Sequence, residues 1–492
     1  MAWLTLDIGS THWKAGVYTH NGGETLVRRM PIPLHPDAAG HRVVHPDAMR
    51  QSLCHLIKDV PATLRQEVEG IGITGMAEGG LLLNRKSLKP KSALLPWFDS
   101  RAEKVFSRLE YDSRISGRYA MTGLPRAQKY SIFKILALLE ETGLSADKVL
   151  WLGAVEYAAF LLTGARATDP TLAARTYAYN ILDNRWDNAF LNSLGLDNGL
   201  FPPVLKSGSP AGFLTDAVAE ESGLPRGLPV SVCGHDHLCA AYGARAFEEN
   251  SLYCSAGTAQ VLTARKPSQL LNEKDLQTGL SFGREPNGDL CVLGAIQSSG
   301  GSVNFMNTLL YGGEDFSEYL KEAGQSSLAH GELLYFPYLA GSGPPHMNSA
   351  ARGAFIGFTD TTTRGDLLQS VYCGLAFETR MIIDAAGIRT GEMTISGGLT
   401  KHPQYMKALA DTLNLNVKVA SCQEGTLYGA ARLIACRARQ DFLPLAQGVS
   451  YEPDPETTER CQLAYEKQYL PMQKALGVFY LGQGGVERTD ES

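Results

Sequence analysis

The first apolar run, Trp3-Leu-Thr-Leu-Asp-Ile, breaks at Gly9-Ser10-Thr11 and resumes as Lys14-Ala-Gly-Val-Tyr-Thr. Two apolar or β-branched runs around a short polar turn predict a hairpin. The pattern returns at Ser251-Leu-Tyr-Cys-Ser-Ala, which turns at Gly257-Thr258 and continues as Ala259-Gln-Val-Leu-Thr-Ala, so the chain restarts there. Between the two hairpins, strand-like 70–75 and 228–234 alternate with helix-like 130–141 and 154–162. After the second hairpin, strand-like 290–294, 393–397 and 417–420 alternate with helical spacing over 366–386, 403–413 and 426–435. Strands alternating with helices predict an α/β fold. Two such halves, each opened by a hairpin, predict duplicated lobes with a cleft between them. The expected units are residues 1–246, 247–437 and a C-terminal extension over 438–492 that packs on the second lobe, its polar end after Gly482 frayed. The Pro/Gly-rich stretch 201–212 reads as a connecting loop inside the first lobe.

Composition narrows this picture. The chain has 492 residues, 44% hydrophobic and 20% charged. That is too long for one core and ordinary for a folded protein. The net charge of -6, with no Lys/Arg run, lacks the electrostatic footprint of a nucleic-acid binder. Nine scattered cysteines, without a C-x-x-C pair, argue for reduced thiols in the cytoplasm rather than a disulfide framework or structural zinc. No apolar stretch reaches the ~20 residues needed to span a bilayer, and the N-terminus has neither a basic nor a long apolar leader region.

Several segments carry candidate chemistry. In Asp7-Ile-Gly-Ser-Thr, followed by Lys14, a glycine turn lets N–H groups and hydroxyls approach phosphate. The carboxylate there can hold a hydrated Mg²⁺ and the lysine can meet residual charge. A plain hairpin turn needs the same glycine. Gly257-Thr258 is the counterpart in the second half. Gly300-Gly301 and Gly397-Gly398 each follow an apolar strand, where a glycine pair serves either a close backbone approach to a ligand or a simple turn.

Asp236, in Gly234-His-Asp-His, sits where a strand meets a small-residue helix, the edge at which α/β proteins bind ligands. A carboxylate there either accepts a proton from a hydroxyl or caps the helix. His235 and His237 lack a third ligand at recognisable spacing, so a zinc site is not expected. Glu78 can accept hydrogen bonds from a polyol or stay a solvated loop acid. Trp97 can stack on a sugar or anchor its loop, and Arg101 reads as an anchor.

Taken in order, these segments resemble the FGGY family of carbohydrate kinases, within the actin-like, ribonuclease H-like superfamily. The resemblance runs from about residue 3 to 437. It rests on Asp7-Ile-Gly-Ser-Thr, Thr74-Gly-Met-Ala-Glu-Gly, Trp97-x-Asp-x-Arg101, Met121-Thr-Gly-Leu-Pro, Leu161-Leu-Thr-Gly and Gly234-His-Asp-His. It continues through Gly257-Thr, Pro337-Tyr-Leu-Ala-Gly, Ala351-Arg-Gly, Ser396-Gly-Gly-Leu-Thr, Ala410-Asp and Leu427-Tyr-Gly-Ala-Ala.

The resemblance implies two actin-like lobes, ATP and Mg²⁺ as cofactors, and transfer of phosphate to a hydroxyl of a sugar or polyol. It implies that Asp236 is the catalytic base and that Asp7 lies near Mg²⁺. Ser10, Thr11, Lys14 and Thr258 would surround the nucleotide phosphates, while Gly300, Asn304, Gly398 and His402 complete the nucleotide site. Glu78, Trp97, Lys129, Asp236 and His237 would face the acceptor. The first lobe would then bind the acceptor and the second ATP. The expected partner is a small sugar or polyol, with a homodimer as the candidate assembly and neither nucleic acid nor membrane. A sugar- and nucleotide-binding sensor of the same fold is the rival from another class.

Three positions depart from the family pattern. Ala77 precedes Glu78, where glycerol-type members carry Arg-Glu and xylulose-type members Met-His. Trp13 is bulky where a small side chain is usual. The Gly341-Ser-Gly-Pro-Pro loop lacks the acidic and basic residues often found there.

Overall fold

The computed structural model describes residues 1–313, 316–326, 332–422, 424–443 and 447–481. The tail from Gly482, expected to fray, lies outside the described residues.

The first hairpin, Ala2–Ile8 with His12–Thr19, forms the middle of a six-stranded sheet. Its order is Glu24–Pro31, His12–Thr19, Ala2–Ile8, Val68–Gly75, Pro229–His235, Pro210–Phe213. The first three strands meander antiparallel, and Val68–Gly75 and Pro229–His235 join parallel to Ala2–Ile8. Ala2–Ile8 is buried along its whole length, which is why it reads as an almost unbroken apolar run. Trp13 is likewise fully buried, on the strand opposite Met30. The stretch read as a loop over 201–212 ends in the strand Pro210–Phe213, antiparallel to Pro229–His235. Its proline hid it, because proline is tolerated only at a sheet edge, which is where this strand lies.

The second sheet repeats the plan in the order Ser281–Arg284, Leu290–Ile296, Gln260–Arg265, Tyr253–Ala256, Glu392–Ser396, Asn416–Ala420, Gln447–Tyr451. Again a hairpin leads, and two later strands add parallel to its first strand. The chain is thus an α/β protein with two lobes, each built on a sheet of the same strand pattern. Each sheet has its own apolar core.

One backbone device recurs at the sheet ends. The strand Val68–Gly75 closes so tightly on the first hairpin that a Cβ on Gly75 would stand 2.5 Å from the Ile8 carbonyl oxygen. In the second sheet, a Cβ on Gly397 would stand 2.4 Å from the Ala256 carbonyl oxygen, and Gly397 has φ of 105°. Both approaches and the left-handed conformation at Gly397 call for glycine.

Three further parts complete the molecule. Gly80–Asn84 pairs with Val149–Gly153 beside the helix Ser131–Thr142, over a small core that includes Trp151, Tyr130, Phe133 and Tyr177. The helix Gly425–Arg437, although late in the chain, packs against Asp236–Gly243 and the strands of the first sheet, sharing a core with Trp3, Tyr18, Cys233 and Cys239. Last, Gln447–Tyr451 extends the second sheet, and Tyr465 and Tyr469 seat the final helices on Phe377 of the long helix Arg364–Ala386. Among the described residues, no helix is long and apolar enough to cross a membrane.

Candidate active site

Asp7 lies at the end of the first strand, 5% exposed, with Lys14 paired across the hairpin. Lys14 Nζ stands 3.8 Å from Asp7 Oδ2 and 2.6 Å from Glu424 Oε2. Asp7 Oδ1 is buried without a hydrogen-bond partner among the described residues. Burial pushes the Asp7 carboxyl up to about 7; Lys14 works against the shift, and the charges of Asp236 and Glu424 add to it. Lys14 titrates above the usual lysine range: burial opposes this, and Asp7 and Glu424 outweigh it. Two acids that repel each other, one with a free buried oxygen, suit a hydrated divalent cation. Ser10 and Thr11 form the tip of the turn, half-buried and exposed respectively.

Asp236 opens the helix Asp236–Gly243 directly after the strand Pro229–His235. The N-cap residue is His235, so Asp236 is not the cap. Its Oδ1 accepts the His237 N–H at 2.7 Å and lies 3.2 Å from His235 Nε2, while a quarter of its side chain is exposed. Burial pushes His235 down to about 4, so a neutral ring faces Asp236 at pH 7. The His237 ring stands edge-on to His235 at 5.3 Å. His235, Asp236 and His237 offer ligand atoms within 4.8 Å of one another, a closeness that follows from their being consecutive.

Glu78 takes a left-handed conformation, φ 69°, with its carbonyl accepting from Ser131 Oγ at 3.2 Å. Its Oε1 accepts from Arg175, through Nε at 3.0 Å and through Nη2, and lies 3.8 Å from Lys129 Nζ. Burial alone would raise the Glu78 carboxyl, but Arg175, then Lys129, His235 and Lys134, hold it at about 2. Arg175 is itself buried, its guanidinium 5.5 Å from the Tyr130 ring centre. Lys134 is fully buried, pushed down to about 8 by burial, and donates to the Lys129 carbonyl. Lys134 therefore fixes the loop, whereas the Lys129 side chain is 41% exposed. Trp97 is also 41% exposed, edge-to-face with Phe98, and its backbone runs beside Gly79, next to Glu78. Arg101 binds Asp99, Asp37 and Glu141 and anchors its loop.

The second sheet presents a different surface. Gly257 and Thr258 are exposed. Their carbonyls accept the N–H groups of Ser299, Gly300 and Gly301 at 2.9 to 3.0 Å, so the start of the helix Gly300–Tyr311 is tied to the hairpin. Asn304 is exposed on the same helix. Gly398 opens a short turn, and a Cβ there would meet nothing within 4 Å. His402 is buried, its Nδ1 2.8 Å from the Tyr372 hydroxyl and its ring edge-on to Phe316 and Tyr319. Burial pushes His402 down to about 4.

The structure therefore gathers Asp7, Lys14, Glu78, Lys129, His235 and Asp236 into one electrostatically coupled group on the first lobe. Thr258 and Gly300 meet at the second hairpin. Sequence reasoning missed Arg175 and Glu424, which neutralise Glu78 and Lys14. A lone arginine in the small-residue run Leu172-Ala-Ala-Arg was the available signal for the first.

Two lobes, each built on a sheet of one strand pattern, give the chain the actin-like fold. The model of the FGGY carbohydrate kinase N-terminal domain matches residues 2–243, and that of the C-terminal domain residues 252–438. The chain belongs to the FGGY family of carbohydrate kinases and is a carbohydrate kinase, a phosphotransferase with an alcohol group as acceptor. It is 23% identical to a xylulose kinase of Staphylococcus xylosus over 445 residues, 89% of this chain and 91% of that protein. It is 25% identical to a glycerol kinase of Clavibacter michiganensis subsp. michiganensis over 452 residues, 87% of each chain. Among solved structures, the ligand-bound xylulose kinase of Lactobacillus acidophilus superposes with a TM-score of 0.89 at 19% identity, over 98% of this chain and all of that one.

Proposed function

We propose that this kinase moves the terminal phosphoryl group of ATP to a hydroxyl of a sugar, ketose or polyol, with Asp236 removing the hydroxyl proton. The observation that carries this reading is the Asp236 carboxylate itself. It is partly exposed at a strand–helix junction, bonded to its own helix start, and beside a neutral His235 and the buried Asp7. A carboxylate held this way accepts a proton as the hydroxyl attacks.

Residues 1–246 would bind the acceptor. Glu78 offers Oε2 to acceptor hydroxyls, since both Arg175 bonds fall on Oε1, and Trp97, Lys129 and His237 would complete the acceptor site. Residues 247–437 would hold ATP through Thr258, Gly300, Asn304, Gly398 and His402, with Ser10, Thr11 and Lys14 reaching its phosphates from the first lobe. The segment 438–492 would support the second lobe. Asp7 is the residue that would hold Mg²⁺, which neutralises phosphate charge when bound. The named relatives support a polyol or ketose acceptor, and a cytoplasmic location without nucleic-acid partners belongs to the same reading.

Asp236→Asn tests the base. Turnover should fall by about 10²–10⁴-fold, the range for loss of a positioned base, while ATP affinity stays close to that of the parent. Near-normal turnover would refute the assignment. ADP release measured over ketoses, aldoses, polyols and sugar acids then identifies the acceptor.

A further inference from the structure

The peptide unit that joins Gly234 to His235 is gripped on both edges. Its carbonyl accepts from Thr74 Oγ1 at 2.8 Å, and its N–H donates to Thr171 Oγ1 at 2.8 Å. The Thr171 hydroxyl donates in turn to Asp169, at 2.9 and 3.0 Å from the two carboxylate oxygens. Asp169 also accepts the Leu172 N–H at 3.0 Å and the Ser207 hydroxyl. Thr74, Thr171, Asp169 and Ser207 are all fully buried.

The backbone between the two threonines has no slack. Gly234 has φ of 98°, and a Cβ there would lie 2.2 Å from Thr171 Oγ1 and 2.6 Å from Asp169 Oδ2. The strand slips register against Val68–Gly75 between Val232 and Gly234, so that Gly234 comes opposite Thr74. Such a bulge re-aims the chain that follows it, and two residues on stands Asp236. Burying a carboxylate is costly unless its oxygens are well bonded. Here the bonds to Asp169 serve the start of its own short helix and the Thr171 grip on the strand end, with the Ser207 hydroxyl as a further donor.

We infer that Asp169, Thr171 and Thr74 are positioning residues for phosphoryl transfer. They fix the Gly234–His235 peptide, and with it the direction in which the Asp236 carboxylate leaves the helix start. This inference rests on the reading of Asp236 as base.

The test uses the full chain with Thr171→Val, Thr171→Ser and Asp236→Asn, alone and combined, with kcat and both KM values measured and folding checked by thermal melting. A displacement of about 1 Å at a reacting group costs on the order of 10²-fold, so Thr171→Val should lose about that much kcat. Both KM values should stay within about threefold, as befits a defect in the chemical step rather than in binding. Thr171→Ser, which keeps the hydroxyl, should restore most of the rate. Adding Thr171→Val to Asp236→Asn should slow the residual reaction no further, because the carboxylate through which it acts is gone.

Near-parental kcat in Thr171→Val, failure of serine to rescue it, or an undiminished further loss in the double variant overturns the inference while leaving a slow Asp236→Asn to stand for the base. Near-normal turnover in Asp236→Asn sinks both. Should Thr171→Val fail to fold, Thr74→Val, with Thr74→Ser as its rescue, carries the same measurements from the carbonyl edge.

Discussion

At the end of the first sheet Gly75 lies against Ile8, and at the equivalent place in the second sheet Gly397 lies against Ala256. The backbones meet in the same way, yet what surrounds them differs. Around the first junction stand Asp7, Lys14, Glu78, Arg175, His235 and Asp236, several of them buried and pushed far from their ordinary titration. Around the second lie the exposed Gly257 and Thr258, the open Gly398 and the buried, neutral His402. The repeated architecture supplies a surface at which two strands splay from a hairpin. Among the described residues, the coupled acids gather at the first junction. On the proposed function, proton removal and phosphate charge would belong with the first lobe, and the second would offer backbone and hydroxyl groups to a flat or extended ligand.

The largest test of this division sets one residue of each lobe against the other. Asp7→Ala should lower kcat by about 10²–10³-fold, the usual scale for losing a group that stabilises developing charge. Thr258→Val should raise KM for ATP by only about three- to tenfold, the worth of one hydrogen bond, with kcat nearly unchanged. Steady-state kinetics decides, and equal losses of kcat in both variants would abolish the contrast.

A second test asks whether buried acids away from the sheet ends are as lopsided as the charges there. Glu378 in the second lobe and Glu156 in the first are both buried and both pushed up to about 7 by burial, from an ordinary 4.5. Tyr338 and Tyr469 oppose the shift at Glu378, at 2.7 and 2.8 Å, as Thr168 does at Glu156, at 2.7 Å. Between 4.5 and 7 the unfolded chain releases a proton that the folded chain keeps, so each group makes the protein less stable as pH rises through that window. Glu378→Gln should therefore gain on the parent by about 3 kcal/mol between pH 4.5 and pH 7.5, and Glu156→Gln should gain comparably. Urea unfolding at the two pH values measures this; no relative gain would mean that the acids are ionised inside the fold.

The smallest effect concerns the shared backbone. Gly397→Ala should destabilise by about 1–3 kcal/mol through overpacking and a left-handed φ, and Gly75→Ala by a similar amount through overpacking. A harmless alanine at either site, seen as an unchanged melting temperature, would break the equivalence of the junctions.

Much of this was legible in the chain. The hairpins announce themselves because a buried strand must be apolar and its turn must not. Asp236 stood out because its strand, glycine and small-residue helix are consecutive. Asp169 and Thr171 were not visible and Arg175 gave only the signal of a lone arginine among small residues, because their importance comes from meeting Gly234 and Glu78, far away in sequence. Glu424 was equally silent, since its partner Lys14 lies 410 residues earlier. The strand Pro210–Phe213 was concealed by its proline, and no local rule assigns a late helix to an early sheet.

That late helix, Gly425–Arg437, has a bearing on how the protein is made. Trp3, Tyr18, Cys233 and Cys239 find their apolar cover on a segment that leaves the ribosome long after them. The first lobe thus waits, one flank unsheltered, until this helix has been translated. Its burial is bound to synthesis of this helix, and a chain cut short before it should leave that apolar flank open to aggregation.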